Sequence, residues 1–341
     1  MPDQQNLTDL LQDAKRIVQA HYHDLDEAKI DTVQEVLGRR MSKDALWRGV
    51  HPFNTQTGPT GVAEIFWKPV LRSFSHLQRR EDIFFAGQNG TADRSQIWTA
   101  SMGHLLGLFD TPFLGIPPTG KISMLRYAEF NRVRDGQIVE TAFFCDLLHF
   151  MAQAGIRRFP DQRAAHLVQP GPKGHDGLLL DPQDPAEGRK TLHIIDRMID
   201  SIDAANADPR AKTPKEELQE NWHDDMIWWG PEGIGATFTI DRYIEQHQGP
   251  FRQGMESRVF NGHLCRIAEG AFGGFFGWPN LTLTNTHGFL GVPPNDIRAD
   301  MRVVDIYHRK GDKLAENWIF IDILHFLKMQ GVDVLAELGT D

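Results

Sequence analysis

Phe113-Leu-Gly-Ile-Pro-Pro118, followed by Glu140, Cys145-Asp-Leu-Leu-His-Phe150 and Gly155, is repeated 176 residues later. The second version is Phe289-Leu-Gly-Val-Pro-Pro294, Glu316, Ile321-Asp-Ile-Leu-His-Phe326 and Gly331, and no gap is needed to match them. Nearer the N-terminus a second register holds. Leu37, Asp44, Trp47-Arg-Gly49 and Pro69 match Leu218, Asp225, Trp228-Trp-Gly230 and Pro250 at an offset of 181. The registers differ by five, so the first copy carries a net insertion of five residues between Pro69 and Phe113. Surface loops absorb such changes. A period this long marks a duplicated domain, because solenoid units repeat at roughly 20–50 residues.

The bulk properties agree. A chain of 341 residues suits two domains of roughly 100–200 residues each. A net charge of −10 and a pI near 5.8 speak against nucleic-acid and anionic-membrane partners, which favour basic patches. No apolar run approaches the roughly 18 residues of a membrane span. The start, Met1-Pro-Asp-Gln-Gln-Asn, has neither the basic nor the apolar region of a secretory leader. Two cysteines, Cys145 and Cys265, one per half, read as reduced core thiols, and a cytoplasmic location is expected. The 21 Phe and 8 Trp against 4 Tyr suit apolar cavities.

Each copy has the same order of elements. A helical region, Leu7 to about Leu37 and Thr191 to about Asn221, precedes a Trp-rich segment and a second helix, Val62–Leu77 and Ile240–Gln248. Strands are predicted at Met124–Val133 and Ile138–Phe144, and at Met301–Tyr307 and Leu314–Ile321. Arg134-Asp-Gly136 and Lys310-Gly-Asp312 join them as hairpins. Short helices Leu147–Ala154 and Ile323–Gln330 end at Gly155 and Gly331. The predicted division is a first domain 1–156, a Pro/Gly-rich linker 157–190 and a second domain 191–341. Within the linker, Gly177-Leu-Leu-Leu-Asp181 is apolar enough to pack against a domain. Helices followed by a meandering antiparallel sheet predict an α+β fold, twice over.

The run Phe-Leu-Gly-Ile-Pro-Pro-Thr-Gly-Lys at 113–121, Arg-Asp-Gly-Gln-Ile-Val-Glu at 134–140 and an Asp-Leu-Leu near Gln-Ala-Gly resemble the SnoaL-like polyketide cyclases. Glu316-Asn-Trp318 followed by Asp322 is similar to the same family, also labelled ester cyclases, within the nuclear transport factor 2-like superfamily. The resemblance covers both copies and leaves the linker out. It implies two tandem cone-shaped domains, each a curved antiparallel sheet wrapped by helices around an apolar pocket. Many relatives of that family dimerise through the sheet, so the fused copies are expected to form an internal pseudo-dimer, with further self-association left open. The implied activity is that of a cofactor-independent lyase or isomerase acting on a small apolar or cyclic carbonyl compound, with no cofactor required. A small-molecule-binding or scaffold protein of the same fold, and a cofactor-free hydrolase or dehydratase, stay open beside it, since fold does not fix function.

Two aspartates match the family's proposed base, Asp146 and Asp322. Along the last strand, Glu316, Trp318, Phe320 and Asp322 share a face by alternation. If Trp318 and Phe320 face the cavity, burial beside them lifts the Asp322 pKa into the range of a general base. Asp is also a preferred N-cap, and each of these precedes a short helix, so both roles stand. His149 and His325 follow at i+3 on the same helical face. His104 and His287 lie ahead of the Phe-Leu-Gly-x-Pro-Pro runs, near where relatives place a pocket histidine, in a shifted register. Trp47, Trp228 and Trp229 are candidate ligand-stacking walls. No HxH, HExxH or CxxC appears, and no metal site is expected. Ala142 occupies the position of Trp318 in the first copy, and the second copy is the more complete. Dinucleotide, phosphate-loop and GxSxG motifs are absent.

Overall fold

The computed structural model describes residues 4–91, 93–160, 162–166, 170–208 and 210–339. The first three residues of the predicted non-leader start, parts of the linker and the last two residues of the second domain lie outside that set. The first domain opens with α1 (Gln4–Asp26) and α2 (Val33–Gly38), then strands β1 (Met41–Gly49) and β2 (Thr55–Thr57). A helical stretch follows as α3 (Gly58–Val62), a π-helical turn (Ala63–Trp67) and α4 (Lys68–Ser73). The long strands β3 (Phe74–Gln88), β4 (Ile97–Phe109), β5 (Ile122–Arg134) and β6 (Gln137–Cys145) lead to α5 (Leu147–Gln153).

The second domain repeats the order. It has α6 (Pro185–Ala207), α7 (Pro214–Gln219), β7 (Trp222–Trp229) and β8 (Ala236–Phe238), then α8 (Thr239–Tyr243), a π-helical turn (Ile244–Gln248) and α9 (Gly249–Gly254). Strands β9 (Met255–Phe260), β10 (Cys265–Glu269), β11 (Phe272–Asn285), β12 (Arg298–Lys310) and β13 (Lys313–Ile321) precede α10 (Ile323–Met329). The strand orders are β2-β1-β6-β5-β4-β3 and β10-β11-β12-β13-β7-β8, with β9 also on β11. The two tandem α+β cones are therefore present. The sheets are mixed rather than purely antiparallel, because β1 runs parallel to β6 and β7 parallel to β13.

Local chemistry sets the helix ends. Asp184 caps α6 by accepting from Ala186 N–H, with Pro185 in the first turn, so this helix starts inside the stretch predicted as linker. Thr213 and Glu216 form a reciprocal capping box on α7. The left-handed backbone of Gly155 and Gly331, at φ +82° and +87°, terminates α5 and α10.

The net length difference between the copies resolves into opposed changes. Residues 89–96 connect β3 to β4, whereas only Gly270 and Ala271 connect β10 to β11. The second domain has its own extra residues where β3's counterpart is broken between β9 and β10, and at the irregularity between Gly277 and Leu281 of β11.

The domains pack sheet to sheet and share one apolar core. Trp98 and Phe130 of the first domain meet Phe276 of the second at centroid distances of 5.4 and 5.5 Å. Phe144 meets Trp278 edge-on at 5.5 Å. Val304, Ile306, Trp318 and Phe320 join the same cluster. Contact is close enough that a Cβ on Gly87 would lie 2.7 Å from the Ile267 Cβ. The linker is tied into this seam. Phe84 N–H donates to Gly177 O, Leu179 N–H to Phe84 O, and Trp318 Nε1 to Pro170 O. Lys15 reaches the Leu179 carbonyl at 2.5 Å and the Glu269 carboxylate of the second domain at 2.6 Å. Cys145 and Cys265 are buried free thiols. Among the described residues no helix is long and apolar enough to cross a membrane.

Candidate functional site

The duplicated aspartates do not line a cone; they lie at the seam. Asp322 is buried, and its carboxylate accepts from His51 N–H at 3.1 and 3.0 Å, His325 N–H at 3.2 Å and Arg302 Nη1 at 3.2 Å. Asp146 accepts from His149 N–H at 2.9 Å and Glu232 N–H at 3.0 Å. His51 and Glu232 are matched positions in the 181 register. Each aspartate thus caps its own helix and binds a backbone amide of the other domain. Burial lifts the Asp322 pKa to about 6 against the opposing pull of Arg302 and the two amides. Its oxygens are spent on these donors, and the space beside it, between Val50, His51, Asp146 and Leu148, holds about 10 Å³. The premise for Asp322 and Asp146 as cavity bases is not met.

The cause is sidedness. On β13, Asn317, Ile319 and Ile321 line the cone, while Trp318 and Phe320 face the seam. Both faces of this sheet are buried, so aromatic character does not tell the inside of the cone from the outside. Arg126 lies with its guanidinium carbon 3.9 Å from the Phe320 ring centre. Trp229 is in the seam core as well.

The open space is inside the second domain, a cavity of about 330 Å³ between the sheet and α6, α7 and the segment 243–252. Its wall includes Trp222, Trp228, Phe275, Met301 and Val303. Asp305 on β12 is buried in that wall. Tyr307 stands two residues along the same strand, and Asn317 lies opposite Tyr307 on β13. Asn317 Nδ2 donates to Asp305 Oδ1 at 3.0 Å, and the Tyr307 phenol also bonds the carboxylate. Burial lifts the Asp305 carboxyl to about 7, beyond what these two donors pull back. Asp305 makes no ion pair within 4 Å among the described residues.

Around it, the Tyr243 phenol is pushed well above its ordinary value, by burial first and by the charge of Asp305 next. His247 stacks on Trp228 at 4.1 Å, and burial holds it near a pKa of 3. His263 stacks on Phe275 at 3.7 Å, and is brought to about 3 by burial and by Arg266. Both imidazoles are therefore neutral at physiological pH. The amide oxygen of Gln248 is buried without a hydrogen-bond partner, and the Asn280 side chain lies against His263. Arg252 is paired with Glu217 at 3.0 Å, and Arg258 donates to the carbonyls of Met255 and Arg252.

The first cone is sealed. By strand register Glu129 stands where Asp305 does, and Arg79 where Phe260 does. The Arg79 guanidinium lies 3.8 Å from the Tyr22 ring centre and 4.6 Å from that of Tyr127, and donates to Glu129 at 3.1 Å. Asn131 and Thr141 complete the network. The residual void is about 10 Å³, too small to hold more than a water. The four tyrosines of the chain all stand in the cones, two in each.

Among the sequence candidates, Trp228 is on the wall of the open cavity. Trp47 packs on Phe53, Phe66 and Phe143 in the filled cone. His104 is buried toward the seam side, with Nδ1 3.3 Å from Asp82. His149 and His325 are half-buried beside their own aspartates. His287 is exposed and borders a shallow outer depression of about 650 Å³, 3.9 Å from Glu256. None of these five is in the wall of the 330 Å³ cavity. Asp305, Tyr307, Asn317, Tyr243 and His247 were missed. A signal existed: Ala128-Glu-Phe-Asn131 and Val304-Asp-Ile-Tyr307 keep an acid between apolar residues at the 176 offset, alike in type though not in identity. Among the described residues no group of three or more His, Cys, Asp or Glu is arranged to hold a metal ion.

No protein-family model matches the chain, and no curated protein matches it. Solved structures are similar to parts of it. IdmH from Streptomyces antibioticus, provisionally named a polyketide cyclase, is 20% identical, covers 41% of this chain with 97% of its own, and gives a TM-score of 0.34. A protein from Jannaschia sp. CCS1, provisionally named a SnoaL-like polyketide cyclase, is 19% identical over 43% of this chain and 95% of its own, with a TM-score of 0.33. A nuclear transport factor 2-like protein from Burkholderia xenovorans LB400 is 13% identical over 42% and 96%, also at 0.33.

Proposed function

We propose that the second domain is a cofactor-independent proton-transfer catalyst of the cyclase or isomerase type. Its substrate is a small apolar or cyclic carbonyl compound, and Asp305, not Asp322, is the general base. The observation that carries this is a buried carboxylate held by neutral donors at the wall of a cavity of about 330 Å³. A base works best when its pKa lies near the working pH, and burial brings Asp305 to about 7. Asp305 removes the proton from the carbon next to the carbonyl. The resulting enolate oxygen takes a hydrogen bond from Tyr243, whose phenol stays protonated. The aromatic wall keeps water from the carbanion; the Asp305 carboxylic acid then delivers its proton to another carbon, or the carbanion adds to a second carbonyl and the new alkoxide takes that proton. The names of the similar solved structures are in keeping with this chemistry.

The test is exchange of α-hydrogen for deuterium in D2O, followed by NMR across a panel of cyclic ketones and 1,3-dicarbonyl compounds. Wild type is expected to speed exchange of at least one member, Asp305→Asn to lose at least about 100-fold, and Asp322→Asn to keep the rate. Exchange that survives Asp305→Asn, or vanishes with a correctly folded Asp322→Asn, overturns the assignment. No exchange with any member leaves the non-catalytic binding role in its place.

A further inference from the structure

We infer that the second-domain cavity takes a ligand bearing a cationic nitrogen, a primary ammonium or a guanidinium, on an apolar body of one or two rings. This goes beyond proton transfer, since it concerns occupancy and stands whether or not turnover is found. The molecule contains its own comparison. In the first cone the matched carboxylate, Glu129, is completed by the Arg79 guanidinium lying against the rings of Tyr22 and Tyr127. That side chain is in effect a tethered ligand.

In the second cone the matched position is Phe260, which is partly exposed and lines the cavity without reaching Asp305 with a charge. The acid has been kept, and its cation has not. The two arginines on the wall are already engaged, Arg252 with Glu217 and Arg258 with two carbonyls. His247 and His263 are neutral. A second carboxylate, Asp203, lines the cavity at the position matched to Tyr22 by the 181 register. Ring surface is available from Trp222, Tyr307 and Tyr243, and aromatic faces attract cations. An ammonium on a ring-sized body would therefore meet an acid without a cation of its own and aromatic faces in one cavity.

The experiment is calorimetric titration of the full chain at pH 8 with 2-phenylethylammonium and with its neutral counterpart, 2-phenylethanol. The ammonium is expected to bind at least about tenfold more tightly, as one charge-assisted contact supplies. That preference should disappear in Asp305→Asn and persist in Asp322→Asn, with both variants checked for a native fold by circular dichroism. Equal affinities, tighter binding of the alcohol, binding of neither compound, or a preference that survives Asp305→Asn each overturn the inference. Tight ammonium binding without α-exchange sinks the proton-transfer reading alone. Binding of the alcohol alone, with α-exchange retained, sinks this inference alone.

Discussion

Replacing Asp305 with Asn removes one buried charge and almost no volume, and the consequence can be worked out in sign and size. Asn can still accept from Asn317 Nδ2, so the local hydrogen bond survives. The folded-state pKa of Asp305 is about 7, raised chiefly by burial from the ordinary carboxyl value of 3.8. A carboxyl with a raised folded pKa contributes its stability below the unfolded pKa and loses it as the pH climbs through the folded one. That rise amounts to roughly 4 kcal/mol at pH 8, falling to under about 1 kcal/mol at pH 4. Wild type should therefore become less stable relative to Asp305→Asn across pH 4 to 8, with the steepest change between about 4 and 7. Asp322, lifted to about 6, titrates in both proteins and cancels in the difference. Urea midpoints measured at half-unit pH steps give the curve directly. A difference that stays flat with pH, or one that favours wild type increasingly at high pH, would refute a buried, unpaired carboxylate at this position.

Two further outcomes follow from the same geometry. Arg79→Met strips the guanidinium from Glu129 and leaves that acid buried without a cation, so the chain should lose about 3–5 kcal/mol at neutral pH, with part recovered in Arg79→Met/Glu129→Gln. A loss below about 1 kcal/mol in chemical unfolding would show that the first cone is not held by this pair. Asp146→Ala frees both the His149 amide and the Glu232 amide of the other domain, for a cost of about 1–3 kcal/mol. Hydrogen exchange should show faster opening at both amides, and protection that falls at His149 alone would contradict the cross-domain role.

The duplication, the order of elements and the two helix-capping aspartates were legible in the sequence, because each rests on residues kept identical at a fixed offset. Sidedness was not. Trp318 and Asn317 are neighbours on one strand, and only the presence of a second sheet decides that the tryptophan faces the seam and the asparagine faces the cavity. Matching identical letters also pointed at the seam, where both copies meet the same surroundings and so retain the same residues. The cones had diverged, and their shared acid survived only in type, as Glu129 and Asp305. The exchange of Arg79 for Phe260 depends on strand register across an insertion, information that no local pattern carries. The histidines failed for a related reason. His104 and His287 were placed by motif spacing, whereas the two imidazoles on the cavity wall, His247 and His263, belong to a π-helical turn and a strand break without a motif.

Because Trp98, Phe130, Phe276 and Trp318 belong to one core, the two halves gain their mutual support from a covalent tether rather than from mass action. Two separate subunits packed this way would fall apart on dilution, and their stability would vary with concentration. Here the partner is always present at the same effective concentration, however scarce the protein is. One cone can then remain closed for good and serve as the fixed half of the assembly, while its sister keeps a cavity of about 330 Å³ without either losing its neighbour.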